Sequence, residues 1–392
     1  MENLLIPLFN LLLFFLLSSH AIKVDQSTIN DEYSYVQCLR NHSVPSKQHF
    51  NPQSAFYNQY FSSVQSSRTL LNSFKPLLLF VPTIETHVQA AVLCSRSLAI
   101  PIRTSSGGYD DDDLSFVPTS GRFVLIDLQF LSSISIDTHS PTAWVHAGAT
   151  LGELYYAIAN HSRTVAFPAG PSSDNVEDIR FVVGSGEIKN RGTMGEDLFW
   201  ALRGGGETSF GVILAYKLRL VAVPSKVTVF TVSRTLEEEA TKVVDKWQRM
   251  AYKADKRLFI TTIWKVLGND CEADGQNKIK RLQVSFNSLF LGDKKELLLI
   301  MKIFFPELKL AAEDCAEMTW IESALYFAGY QGKPLSSLLE RDSPLNYSST
   351  DKPDFLPQSF HSEGWFLLDL LLAFNESLRF PWRCVSFWNS IV

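Results

Sequence analysis

What most constrains the fold of this chain is an apolar strand pattern, Ile100 to Thr104, that runs into Ser106-Gly107-Gly108. Upstream, Val88, Ala91 and Val92 recur at helical spacing after Pro82 and Thr83. That spacing predicts a helix that carries Cys94 and stops before the strand. Helix, strand and glycine turn make an α/β unit. With no side chain at two successive positions, main-chain N–H groups converge on one anion, as phosphate-binding nests do. A second glycine-rich stretch, Glu196 to Gly211, places Gly204, Gly205 and Gly206 behind aromatic residues and offers the same close backbone approach. Two such turns point to one large ligand. Each alone is equally a bend that the fold requires.

Downstream of the first turn, Phe123 to Leu128, Ser133 to Asp137 and Ala143 to Ala147 read as strands. Gly148 lets the last of these turn sharply, and Thr150 with Glu153 forms a capping box for a helix over Leu151 to Asn160. Arg180 to Val183 and Glu187 to Asn190 flank Gly184-Ser185-Gly186 as a hairpin, and Phe210 to Val221 reads as one long strand. After Pro224 the order is strand (Val227 to Ser233), helix, two strands (Phe259 to Val266, Arg281 to Leu291) and helix (Lys294 to Phe304, opened by Asp293 with Glu296). Thr235 with Glu238 caps the first of these helices, and Leu236, Ala240, Val243, Val244, Trp247 and Met250 form its apolar stripe. This order predicts an antiparallel sheet covered on one side.

A length of 392 residues suits two domains. A formal net charge of −5 without a basic cluster argues against a nucleic-acid partner. The scattered histidines and cysteines show no metal-ligand spacing, so no metal is expected. The apolar run Leu4 to Leu17, followed by Ser18-Ser19-His20-Ala21, has the layout of a secretory signal over residues 1–21. Its competing reading is a membrane anchor, for which the run is short. Sequons at Asn41, Asn160, Asn346 and Asn375 fit passage through a glycosylating compartment.

Four stretches carry a resemblance: Lys75 to Gly108, Thr142 to Ala159, Met194 to Gly206 and Glu313 to Tyr330. They resemble the plant berberine bridge enzyme-like family of flavin oxidases. The resemblance implies an α+β fold with a two-part FAD-binding domain of the vanillyl-alcohol-oxidase, or p-cresol-methylhydroxylase, type over residues 75–224. A segment over 22–74 would be tied to that domain by a Cys38–Cys94 disulfide, and an antiparallel-sheet substrate domain covered by helices would span 225–392. Cys271, Cys315 and Cys384 then remain, Cys315 reading as a buried thiol and Cys384 as a candidate free one. FAD is the cofactor implied. Its expected contacts are Arg103, Ser105, Ser106, Gly107, Gly108, Tyr109, Ser115, Asp174, Asn175, Val176, Gly204, Gly205 and Gly206.

Against the family pattern, Tyr109 stands where a histidine bonds covalently to the flavin, and Ser105 stands where arginine is common. Asp110 to Asp113 place four acids behind the turn. Facing a diphosphate they would repel it by about 1 kcal/mol per pair in water; pointing away, they are a solvated loop. The chain passes from Gly170 to Asp174 without the family's glycine-rich segment, which holds a second, cysteinyl anchor, and it is read as truncated after Phe380 to Val392. Glu376 receives no role, and no catalytic residue is assigned.

The resemblance implies a secreted, extracellular or cell-wall flavoprotein that transfers hydride from carbohydrate or monolignol-type alcohols to flavin. The histidyl link is not expected. Further expectations are a small-molecule substrate, molecular oxygen as a partner, no membrane span after signal cleavage, and a monomer. The alternative is an inactive family member, or an incomplete gene model, with weak or no FAD binding.

Overall fold

The computed structural model describes residues 26–63, 76–106, 122–137, 139–169, 174–203, 210–267, 281–341 and 383–384. The chain divides into two compact units, the first holding residues 1–105, 115–127 and 184–187 and the second the remainder.

In the first unit the order is α1 (Gln26–Asn41), β1 (His49–Phe50), α2 (Ala55–Ser63), β2 (Leu78–Phe80), α3 (Glu85–Leu98), β3 (Ile102–Ser105) and β4 (Val124–Asp127). The strands form one sheet in the order β1-β2-β4-β3, with β2, β4 and β3 parallel and β1 antiparallel at the edge. Every residue of β2 and β4 is buried, as expected for parallel strands covered on both faces. On one face Leu79, Val81, Phe123 and Leu125 pack with Tyr57, Phe56, Tyr60 and Phe61 of α2. Helix α3 begins at Glu85, and the Thr83 hydroxyl does not cap it; that oxygen accepts from Gln48 Nε2 at 2.8 Å. Cys38 and Cys94 are joined, with their Cα atoms 5.8 Å apart, so α1 is bonded covalently to α3. The buried Tyr35 hydroxyl donates to Ala91 O at 2.8 Å across the same pair of helices.

The second unit opens with β5 (Ile134–Asp137), β6 (Thr142–His146), α4 (Leu151–His161) and β7 (Val165–Ala166). There follow β8 (Val176–Val183), β9 (Ile188–Lys189), α5 (Arg191–Met194), α6 (Glu196–Leu202), β10 (Gly211–Arg219) and β11 (Val221–Ala222). An antiparallel sheet runs β5-β6-β10-β8-β9, and β7 pairs with β11. The capping box opens α4 as the sequence predicts: Thr150 N donates to Glu153 Oε2 and Glu153 N to Thr150 Oγ1. Gly148 is required for a reason the sequence does not display. A Cβ there would lie 1.7 Å from Leu128 O, so glycine serves close backbone approach here, not an unusual turn angle.

The last elements are β12 (Val227–Thr235), α7 (Ala240–Met250), β13 (Leu258–Leu267), β14 (Arg281–Phe290), α8 (Lys294–Phe304), β15 (Cys315–Met318), α9 (Trp320–Phe327) and β16 (Arg383–Cys384). They build a second antiparallel sheet in the order β15-β12-β14-β13-β16. Helices α7 and α8 cover one face, where Val243, Val244, Trp247, Leu297 and Met301 meet Phe230, Val284 and Phe286. Two expectations are corrected here. Thr235 and Glu238 box a short 3₁₀ turn, not the helix itself, because Glu239 takes φ +61° and breaks the chain direction; Leu236 therefore leaves the apolar stripe and stands 40% exposed. The opposite face is not bare either: Trp320 and Tyr326 of α9 pack beside Val227 and Val229, and Tyr326 Oη bonds Thr231 Oγ1 at 2.9 Å.

Mixed helices with separate antiparallel sheets bear out the α+β class. Among the described residues no helix is long and apolar enough to cross a membrane.

Candidate functional site

Parallel strands present ligands at their carboxyl ends, and in the first unit that end is where β3 leads into the glycine turn. Arg103 is half-buried on β3, Ser105 is 6% exposed and Ser106 is exposed at the strand's end. Gly107, Gly108, Tyr109, the acids 110–113 and Ser115 lie outside the described residues. In register with Ser105 on the adjacent strand stands Asp127, a carboxylate that is only 3% exposed.

A buried carboxylate needs donors, and α2 supplies one. The Tyr60 hydroxyl donates to Asp127 and receives a hydrogen bond from Ser105. Burial first, and then the Asp127 charge, push the Tyr60 hydroxyl far above its ordinary range, so it remains a protonated donor. Tyr60 and Asp127 were missed by sequence reasoning. The available signal was an acid closing the fully apolar run Val124–Ile126; Tyr60 gives none, because it reaches the strand from a helix more than forty residues upstream.

In the second unit, Asp174, Asn175 and Val176 lead into β8, and Asn175 O accepts from Arg219 N at 2.8 Å. Beside them is a cavity of about 440 Å³. Its walls are Asp174, Val176, Glu177 and Asp178 on one side, Lys217 and Arg219 of β10 on another, and Arg191 and Arg203 at the ends of α5 and α6. Adjacent residues of a strand normally face opposite ways. Here a bulge intervenes: Lys217 pairs with Asp178 and Leu218 with Val176, so Glu177 is the extra residue. Its carboxylate thereby reaches Lys217 Nζ at 3.6 Å and Arg219 Nε at 3.1 Å.

Arg191 grips Glu196 through Nε at 2.9 Å and Nη2 at 3.0 Å, and this fork holds the Glu196 carboxyl below its ordinary range. The ring of Phe199 is touched by two guanidinium groups, Arg191 at 4.4 Å and Arg203 at 4.9 Å from its centroid. Arg203 makes no ion pair among the described residues, and its Nε is buried without a hydrogen-bond partner. Gly204, Gly205 and Gly206 follow it, outside the described residues.

Cys38, Cys94 and His42 lie close enough together to suggest a metal, but the disulfide removes both thiolates, so they are not ligands. Cys315 is a buried free thiol, as expected; Cys271 is outside the described residues. Asn41 and Asn160 are exposed, while Asn346 and Asn375 lie outside the described residues.

At the end of β3 the exposed Ser106 offers hydroxyl and main-chain donors that suit a phosphate-bearing dinucleotide in kind, while the Ser105 hydroxyl is committed to Tyr60. The FAD binding domain family matches residues 76–175. Monolignol oxidoreductase AtBBE-like 13 of Arabidopsis thaliana is 40% identical over 386 residues, covering 89% of this chain and 71% of the relative. O-acetylstemmadenine oxidase of Catharanthus roseus is 40% identical over 336 residues, covering 79% of this chain and 62% of that protein. Among solved structures, the Bermuda grass isoallergen BG60 superposes with a TM-score of 0.75 at 33% identity, covering 86% of this chain and 72% of its own. Wild-type Phl p 4.0202, a glucose dehydrogenase, gives 0.74 at 30% identity, with coverages of 85% and 71%. Fold and sequence together define an FAD-dependent oxidoreductase by class. The chain belongs to the berberine bridge enzyme-like family.

Proposed function

We propose that this chain is a secreted flavoprotein that holds FAD without a covalent tether and oxidises the alcohol carbon of a carbohydrate or monolignol-type substrate. Support for the substrate class comes from its 40% identity to a monolignol oxidoreductase and its likeness to a glucose dehydrogenase. The observation that carries the cofactor reading is the strand end at Ser105 and Ser106, braced by Asp127 and Tyr60. Bound FAD supplies the hydride acceptor for alcohol oxidation.

The chain's own residues position that group. Asp127 and Tyr60 fix Ser105 at the end of β3, where the chain enters the glycine pair proposed to receive phosphate oxygens. Tyr109 brings a phenol where the family's imidazole would form the link, and the flavin is therefore released by acid precipitation. Secretion rests on residues 1–21 and on sequons at Asn41 and Asn160, both of which are exposed. Molecular oxygen is the proposed electron acceptor, and the working form is proposed to be a monomer.

A second reading, a family member without turnover, is favoured by the replacements at Ser105 and Tyr109. One experiment separates the two. Purified protein is titrated with FAD, loaded, and exposed anaerobically to glucose, a disaccharide or cinnamyl alcohol. Bleaching of the flavin band, followed by peroxide formation on admitting air, is the result expected of the enzyme; a bound flavin that no alcohol bleaches supports the second reading, and no flavin binding at all overturns the cofactor reading.

A further inference from the structure

The cavity against β8 and β10 includes Asp174 and Val176, which the resemblance places against FAD, but its four cationic side chains have no part in the flavin reading, and its charges are arranged unevenly. Arg191 is committed to Glu196 by a two-bond fork, and Glu177 alone is shared by Lys217 and Arg219. Arg203 has neither arrangement: its guanidinium carbon stands over the ring of Phe199, which is 1% exposed, at 4.9 Å from the centroid, and its buried Nε–H meets no acceptor. A guanidinium that lines a cavity with no carboxylate partner suits an oxyanion, since its fork matches two oxygens of such a group.

The cavity also has acids in its wall, which a fully ionised anion would avoid. Asp178 Oδ1 accepts from the main-chain N–H of Ile179 and of Arg191, each at 2.7 Å, while Oδ2 accepts no hydrogen bond among the described residues. An acceptor of that kind pairs with an anion that still carries an O–H. Orthophosphate carries one near neutral pH, its monoesters carry one as pH falls toward their second pKa of about 6, and sulfate does not.

We propose that this cavity is a binding site for a phosphate group bearing a proton, either orthophosphate or a phosphomonoester. The Arg203 guanidinium anchors the ionised oxygens, Lys217 and Arg219 add positive charge, and Asp178 accepts the phosphate O–H. A volume of about 440 Å³ leaves room for an organic group beyond the phosphate.

Calorimetric titration of the full chain, prepared free of phosphate, with inorganic phosphate, glucose 6-phosphate and sulfate tests this. Saturable binding of one phosphate equivalent is expected, with sulfate weaker by about tenfold or more, a difference of the size expected for one charge-assisted hydrogen bond. Tighter binding of glucose 6-phosphate than of inorganic phosphate identifies the monoester as the occupant; the reverse identifies the free ion. Arg203→Gln weakens phosphate by about tenfold or more. Should that variant fail to fold, Glu177→Gln gives the opposite readout, because it frees Lys217 and Arg219 and tightens binding. No saturable binding, equal affinity for sulfate, or an affinity unmoved by Glu177→Gln overturns the proposal. Titration with FAD in the same buffer distinguishes this site from the flavin reading, since the FAD diphosphate offers no O–H at neutral pH and leaves phosphate affinity unchanged.

Discussion

The replacement of both Cys38 and Cys94 by alanine removes the covalent link between α1 and α3 while leaving their packing in place. The two residues are 56 apart in sequence. Closing a loop of that length removes about 14 cal/mol/K from the unfolded ensemble, or about 4 kcal/mol near room temperature. The Tyr35 to Ala91 hydrogen bond and fully buried Leu39 remain and retain on the order of 1 kcal/mol of the contact. Because the chain has two units, a global melting temperature mixes their responses. Native-state hydrogen exchange read on the amides of α1 and α3 avoids this. The expected result is a loss of protection in both helices approaching a thousandfold, at roughly 1.4 kcal/mol per decade, with β12 to β14 of the second unit unaffected. A change below about tenfold would refute the reasoning, since it would mean that packing alone restrains the first helix.

Arg341→Ala removes a donor whose Nη2 reaches Gln129 O and Gly148 O at 3.1 Å and Glu153 at 3.0 Å; with that side chain 38% exposed, a loss of about 1–2 kcal/mol is expected, read as faster proteolysis at 330–341. Gly148→Ala is expected to cost more than about 3 kcal/mol and to lower soluble yield sharply, and a variant as soluble and stable as the parent would contradict the contact with Leu128 O. Main-chain and side-chain hydrogen bonds from Thr319 hold the Glu322 carboxyl below its ordinary range, so its contribution to α9 is complete above about pH 4.5 and disappears as pH falls through the lowered folded value. Exchange in the first turn of α9 should rise on acidification and become insensitive to pH over that range in Glu322→Gln. Burial pushes the Cys315 thiol up to about 11, so peptide-mapped alkylation at pH 8 should leave Cys315 unmodified until denaturant is added.

Local signals in the sequence carried far. Thr150 and Glu153, or Asp293 before Lys294, mark helix starts because the cap is made by residues three apart. The same box at Thr235 and Glu238 misleads, since nothing in the sequence announces that Glu239 will adopt a left-handed conformation. Sheet order is less visible. That Cys315–Met318 joins β12 as an edge strand depends on a partner almost ninety residues away. In the candidate sites, the glycine turns and Asp174 were legible by composition. Asp127 with Tyr60, and Arg203 with Phe199, were not, because each is defined by a contact between elements that no periodicity encodes. The bulge at Glu177, likewise, exists only once β8 and β10 are paired.

The Arg341 clamp on Gly148 and Glu153 bears on biosynthesis. Those partners leave the ribosome nearly two hundred residues before the arginine does, which at about 5–20 residues per second is a wait of some ten to forty seconds. Throughout that interval α4 lacks its latch, and chaperone engagement of the nascent polypeptide should concentrate there.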